Sequence, residues 1–222
     1  MVSNTICGVT WAHGLAAALG DAFAPARCAG CDALSREPVC ASCSRALRAL
    51  EMPPPARVPV GLVLAAFEYV DPVRTVIHHA KYRAGLQALQ VLTGIAVERM
   101  AARHHLRGDA VVAVPLGRRR RKQRGYNQAD VVAASLAARH GLRVVEGLVR
   151  VRETRAQSAR DADARKRNVA GAFAWQGAAI AGARLWLADD IVTTGATAAA
   201  AAEALLAAGA SRVGVVALAR VP

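Results

Sequence analysis

Asp189 and Asp190, adjacent carboxylates at the end of an apolar run in LADDIVTTGAT, are the residues of this chain best placed to do chemistry. Bare aspartates at a strand end are costly to bury, and the Thr-Thr-Gly-Ala-Thr that follows contributes nothing to a core. A turn of small residues leading from a strand into a helix instead presents backbone N–H groups and the positive helix end to an anion, the usual solution for phosphate. Thr193, Thr194 and Thr197 add hydroxyl donors, and Gly195, followed by Ala196, lets the loop curl around the group. The carboxylates repel phosphate, so they suit vicinal hydroxyls or a hydrated Mg²⁺ beside it. A molecule with a phosphate at one end and a diol at the other is a ribose 5-phosphate.

A second constellation is metal-like. Four of the five cysteines fall in CAGCDALSREPVCASC, where Cys28 and Cys31 form one C-x-x-C, Cys40 and Cys43 another, and eight residues separate them. Two such knuckles converge on a tetrahedral ion, and Zn²⁺ takes four thiolates while supplying the folding energy a small segment lacks. A closed set of four ligands is structural. A pair of disulfides or a redox C-x-x-C is the competing reading, set against a cytoplasm that keeps thiols reduced. Cys7 stands alone and reads as a small packing residue.

The elements that must position these groups alternate between strand and helix. Residues 61–70 read as a strand, followed by Asp71 as an N-cap and Pro72 at the first helical position. Val73, Val76, Ile77 and Ala80 then share one buried helical face, with His78 and His79 beside it as surface or packing residues. A helix over 86–104 follows, and 109–117 has the continuous apolar run of a strand buried on both faces. It empties into RRRRKQRGYNQ, where six of the seven residues 118–124 are basic. This stretch reads as a loop in which Gly125 allows close approach of a ligand. A helix closed by Gly141, a strand in LRVVEGLV, a strand over 184–190, an alanine-rich helix over 197–208 and a strand over 212–219 complete the pattern. The expectation is an α/β fold with a doubly wound parallel sheet and right-handed crossovers.

Two stretches interrupt the pattern. EMPPPARVPV carries four prolines within residues 53–59 and reads as a stiff linker. The domain boundary falls there, giving an N-terminal helix and cysteine module over 1–52, a linker over 53–60 and a main domain over 61–222. Residues 152–168 are charged, with alanines as their only apolar side chains, and read as a lid. Near the N-terminus a short helix over 8–20 is expected. That stretch lacks a basic n-region and is broken by His13 and Asp21, so neither a signal peptide nor an anchor is expected. No other segment offers the about 18 uninterrupted apolar residues of a membrane span, and a cytoplasmic protein is expected.

The formal net charge of +13 implies attraction to polyanions, either nucleic acid or phosphorylated small molecules. An excess of arginine and alanine is equally what a GC-rich genome encodes. Tyr126 is the one aromatic in the basic run, whereas single-strand binders usually add stacking aromatics. Trp11, Trp175 and Trp186 are scattered and read as packing residues.

LADDIVTTGAT resembles the phosphoribosyl pyrophosphate (PRPP) motif of type I phosphoribosyltransferases. More narrowly, the chain resembles the ComF family, the competence protein F or amidophosphoribosyltransferase-like family. The ordered set Cys28, Cys31, Cys40, Cys43, AFEY, Lys81, VPLGRRRRKQRGYNQ, TRAQ, RKRN, GAF and LADDIVTTGAT carries the resemblance over residues 28–220. It departs in one place, where Leu-Ala precedes the acidic pair and the family commonly has a bulkier aliphatic. The resemblance implies a type I phosphoribosyltransferase fold with a flexible hood over 152–168 and a zinc module. Asp189 and Asp190 would hold the ribose hydroxyls as the catalytic pair, and residues 193–197 the 5-phosphate. Arg124, Gly125 and Lys81 would meet the pyrophosphate. Implied too are Mg²⁺ with PRPP, transfer to an unidentified acceptor, and a role in natural transformation. The latter brings single-stranded DNA, a competence helicase and recombination proteins as partners, with an adaptor carrying a vestigial or sensory PRPP pocket as the alternative.

Overall fold

The computed structural model describes residues 26–58, 61–82, 85–152 and 169–221. The helix expected over 8–20, Cys7, Trp11 and all but Arg152 of the hood over 152–168 lie outside these residues.

The chain begins with the cysteine turns and α1 (Ala41–Ala49), then β1 (Ala56–Val58) and β2 (Gly61–Glu68). Helices α2 (Val73–Tyr82) and α3 (Leu86–Arg103) precede β3 (Ala110–Ala113), α4 (Arg118–Arg124), α5 (Gln128–His140) and β4 (Arg143–Val144). The short strands β5 (Leu148–Arg150) and β6 (Phe173–Trp175) lead to β7 (Arg184–Val192), α6 (Ala196–Ala207) and β8 (Arg212–Arg220). The main sheet has the order β1-β2-β8-β7-β3-β4 and is parallel except for the β1–β2 pair.

Period-two alternation divides the strand residues between two cores. Leu64, Val111, Ala188 and Val216 face a layer containing α1, α2, α3 and α5, while Val63, Val112, Leu187 and Val215 face α6 and the β5–β6 pair. Burial on both faces is why β7 and β8 read as nearly continuous apolar runs. The four residues assigned to the inner face of α2 are each no more than 1% exposed. Alanine at 198, 201 and 202 lets α6 lie close on the sheet. Asn127 caps α5 by accepting the Ala129 N–H at 3.3 Å, and Gly141 ends it in the left-handed region at φ 66°.

Three expectations are corrected. The proline segment is not free of regular structure: Ala56–Val58 pairs antiparallel with β2 as an edge strand, the one sheet position where flanking prolines leave no ladder donor missing. The basic run is not a loop but the helix α4, because Arg and Lys are good helix formers and Gly125, at φ 77°, terminates the turn. LRVVEGLV is two strands, split at Gly147 (φ 135°), where a Cβ would lie 2.3 Å from the Gly177 backbone. Its first half joins β3 in the main sheet and its second pairs with β6, so a two-stranded ladder brackets residues 151–172.

The cysteine module is continuous with the body. Leu47 is fully buried in the same core as α3. Arg99 donates to the carbonyls of Leu47, Arg48 and Leu50 at the end of α1 and lies 5.0 Å over the Phe67 ring.

Candidate functional site

The pairing of β3 with β7 ends at Ala113 opposite Ala188, and the Val114 N–H closes on Ala188 O at 2.9 Å. β7 runs on, still paired with β8, so Asp189 and Asp190 emerge where their β3 neighbour has gone. The connection from β3 through α5 lies on one face of the sheet and that from β7 through α6 on the other. A crevice therefore opens between the carboxyl ends of β3 and β7, the topological switch point at which open α/β sheets bind ligands.

A cavity of about 370 Å³ occupies that crevice. Asp189, Asp190, Thr193, Thr194, Ala196 and Thr197 line one side; Lys81, Arg120, Arg124 and Arg150 supply cations. Gly195 is buried in the left-handed region at φ 74° and is the N-cap of α6, with its carbonyl accepting the Ala199 N–H at 2.8 Å. A residue without Cβ holds that conformation at least cost; glycine offers no capping side chain, and of the opening N–H groups Ala196 donates to Thr194 Oγ1 at 3.4 Å.

Lys81, last turn of α2, places Nζ 2.6 Å from Asp190 Oδ2, with the two side chains 16% and 14% exposed. Asp189 Oδ1 accepts the Asp190 N–H at 2.8 Å. Burial and the adjacent Asp190 charge push the Asp189 carboxyl well above the usual carboxylate range. Burial works the same way on Asp190, but Lys81 outweighs it and holds that carboxyl below its ordinary value. One member of the pair is thus kept ionised and the other is easily protonated.

Two of the cations, Arg120 and Arg124, are carried by the segment after β3. Tyr126 donates its hydroxyl to Ala80 O at 2.7 Å, tying that segment to the end of α2 that bears Lys81. Arg124 donates to Gln128 Oε1 at 3.0 Å, and Asn127 Nδ2 donates to Val114 O at 3.0 Å and to Asp130 Oδ1 at 2.8 Å. The structure thus brings Asp189, Asp190, the 193–197 loop, Lys81 and Arg124 together. Gly125 stands apart as the helix terminator with open space around it and does not line the cavity. Sequence reasoning missed Arg120 and Arg150, and also Tyr69, which lines both this cavity and one beside the cysteines. The i, i+4 spacing of Arg120 and Arg124 would have found the first once α4 was read as a helix.

The four cysteine sulfurs lie within 4.8 Å of one another and are positioned to bind a metal such as zinc. Cys28 and Cys31 flank a turn, and Cys40 and Cys43 sit at the start of α1. The N–H groups of Gly30 and Cys40 donate to Cys28 Sγ at 3.3 and 3.2 Å. Burial raises the Cys28 thiol, yet these donors bring it below its ordinary value, and the Ser42 hydroxyl helps pull Cys40 down to about 6. A Cβ at Gly30 would meet Cys43 Sγ at 2.9 Å, so the turn needs glycine. Cys28 and Cys40 thus favour the thiolate, the form a metal ligand takes, whereas burial and the neighbouring cysteines push the Cys43 thiol up, a conflict that a bound cation relieves.

The chain is 32% identical over 180 residues to DNA utilization protein YhgH of Salmonella typhi, a match covering 78% of this chain and 76% of the relative. The YhgH protein of Escherichia coli K12 is 33% identical over 178 residues, with the same coverage. Competence protein F of Haemophilus influenzae is 31% identical over 136 residues, 58% of this chain and 59% of the relative. The chain belongs to the ComF family. No family model matches this ComF chain. Among solved structures, it is similar to the glutamine PRPP amidotransferase from B. subtilis in complex with ADP and GMP, with TM-score 0.42 and 20% identity over 62% of this chain and 29% of that one. No helix among the described residues of the ComF chain is long and apolar enough to cross a membrane.

Proposed function

We propose that this ComF protein binds PRPP in the crevice between β3 and β7 and transfers its phosphoribosyl group to an acceptor nucleophile. The observation that carries the reading is the joint placement of an acidic pair, a small-residue phosphate loop and four flanking cations around one cavity of about 370 Å³. The Thr193–Thr197 loop takes the 5-phosphate, Asp189 and Asp190 take the ribose hydroxyls, and Arg120 and Arg124 face the pyrophosphate. Lys81 keeps Asp190 ionised in the free protein and is within reach of the leaving group once a ligand brings its own cation. In the transfer, the acceptor's lone pair forms the new bond at C1 as the C1–O bond to pyrophosphate breaks, the electron pair leaving with pyrophosphate. Such a step needs alignment and charge stabilisation more than a strong base. Mg²⁺, when bound with PRPP, supplies charge neutralisation of the pyrophosphate. The acidic pair fits that role, since oxygen ligands suit this ion.

The four cysteines hold Zn²⁺ in this reading, as a closed structural site in a cytoplasmic protein. Retention of radiolabelled PRPP on the immobilised protein tests the pocket. Retention that depends on Mg²⁺ and falls at least tenfold in Arg124→Met is expected; equal retention in that variant contradicts the assignment.

A second reading is favoured by the names of the relatives, DNA utilization protein and competence protein, together with the net charge of +13. In it the chain also contacts single-stranded DNA during uptake. Binding that weakens steeply with added salt supports it; no binding at low salt contradicts it.

A further inference from the structure

At the sheet edge opposite the carboxylates, where the parallel strands begin, a groove of about 730 Å³ runs between β1, the end of α3 and the starts of β7 and β8. Arg57, Arg103, Arg107, Arg184 and Arg212 line it, with Trp186. Among the described residues lining it none is acidic. Asp109, just outside, is taken by Arg184 through a 3.1 Å ion pair and a 2.8 Å bond from the Arg184 N–H. Arg184 and Arg212 are register partners on neighbouring strands. Like charges placed side by side on a sheet destabilise it, and guanidinium groups cannot relieve the repulsion by losing protons.

The aromatic residue is held in place by the fold. The Trp186 indole N–H donates to Arg107 O at 3.2 Å, and its ring crosses Gly108 and Gly214, where an added Cβ would lie 3.1 and 2.4 Å from ring carbons. Half-buried, it retains a surface toward the groove. A row of exposed cations beside an immobilised ring matches a ligand that alternates phosphates with flat apolar groups. Sequence-tolerant single-strand binders combine these two features, and a base must be unpaired to reach such a ring.

We propose that this groove is the contact site for single-stranded nucleic acid, separate from the PRPP crevice. The proposal rests on the reading that the chain contacts DNA and is independent of phosphoribosyl transfer. It is tested with the full chain by fluorescence anisotropy of a labelled oligothymidylate across a salt series. The variants are Arg107→Glu with Arg212→Glu, Trp186→Leu, and Arg119→Glu with Lys122→Glu on α4 as a basic control away from the groove. The double groove variant is expected to bind at least tenfold more weakly and to lower the magnitude of the log–log salt slope by about 1.4, the loss of two phosphate contacts to a single strand. Trp186→Leu is expected to weaken binding about tenfold, with the α4 control within twofold. Unchanged PRPP retention in the groove variant shows that its fold is intact. Equal oligonucleotide affinity in the groove variant, or loss confined to the α4 variant, overturns the proposal while leaving the DNA reading standing. Absence of oligonucleotide binding to the natural chain at low salt overturns both, and a mononucleotide that binds as tightly as the oligomer assigns the groove to a small ligand instead.

Discussion

The cysteine cluster and the carboxylate crevice both gather groups that repel one another when ionised, but they resolve the conflict differently. In the cluster, backbone N–H groups turn toward a sulfur, Gly30 leaves room for the turn, and the helix that carries two ligands buries Leu47 in the main core. Its charges face inward on one small volume and leave room for one ion. In the crevice, Lys81 pairs with Asp190 alone of the two adjacent aspartates, and both line an open cavity that arginines line too. A site whose polar groups the chain itself satisfies is built to hold a shape. One left with opposed charges across open space is built to receive something, and Tyr69, which lines both neighbouring cavities, is where the two meet.

That contrast breaks most easily at the cysteines. Cys28→Ser, or stripping the metal with a chelator, is expected to lower the thermal midpoint by roughly 10 °C or more. A structural metal contributes several kcal/mol, and each kcal/mol moves a chain of this size by about 2–4 °C. An unchanged midpoint in differential scanning calorimetry would show that the cluster is no staple.

The crevice should respond in the other manner, through ligand rather than fold. Lys81→Met strands Asp190 without its partner, so a cost of about 2–3 kcal/mol is expected, below the range for a fully buried pair. Asp190→Asn in the same chain should return part of it. A double-mutant cycle in urea that gives no coupling would mean that the 2.6 Å contact contributes nothing.

Asp189→Asn sharpens the comparison further, because it should stabilise the free protein while removing ligand binding. The raised Asp189 carboxyl favours the folded state below the ordinary carboxylate range, and this contribution is lost as pH rises through its folded value. The variant is therefore expected to gain about 1 kcal/mol at neutral pH, an advantage that disappears as the pH approaches about 4. Asp190, with its value lowered, contributes in the opposite sense and only loses its share at more acid pH. Thermal unfolding of both chains over this range decides, and a variant that is less stable at neutral pH contradicts the assignment. Gly195→Ala should act through the backbone alone, since φ 74° costs an L-residue about 1–2 kcal/mol; an equally stable variant would mean that the loop relaxes freely.

The same contrast explains what could be read from the chain alone. Cysteine spacing is a local property, and the buried face of α2 and the closure of α5 at Gly141 follow from neighbours a few residues away. The acidic pair and its loop were legible for the same reason. The partner of Asp190 is Lys81, distant in the sequence and brought near only by the parallel sheet, so no local pattern could show that they touch. The basic run misled because consecutive like charges resemble a solvated loop. Its helix is anchored from outside, by Asp130 to Arg121 at 3.0 Å and by Gln128 to Arg124. The break at Gly147 likewise depends on the Gly177 backbone, which packs where a side chain would sit. Trp186 packs against the core as the sequence suggested, but nothing in the sequence tells which arginines the start of the sheet gathers around it.

The central claim is that the crevice is a working phosphoribosyl site. Calorimetric titration of the zinc-loaded protein with PRPP, with and without Mg²⁺ and beside the Asp189→Ala, Asp190→Ala double variant, tests it most directly. Saturable binding that requires Mg²⁺ and vanishes in the variant is the predicted result. Heat that is absent in the natural chain, or that the variant retains, would contradict it.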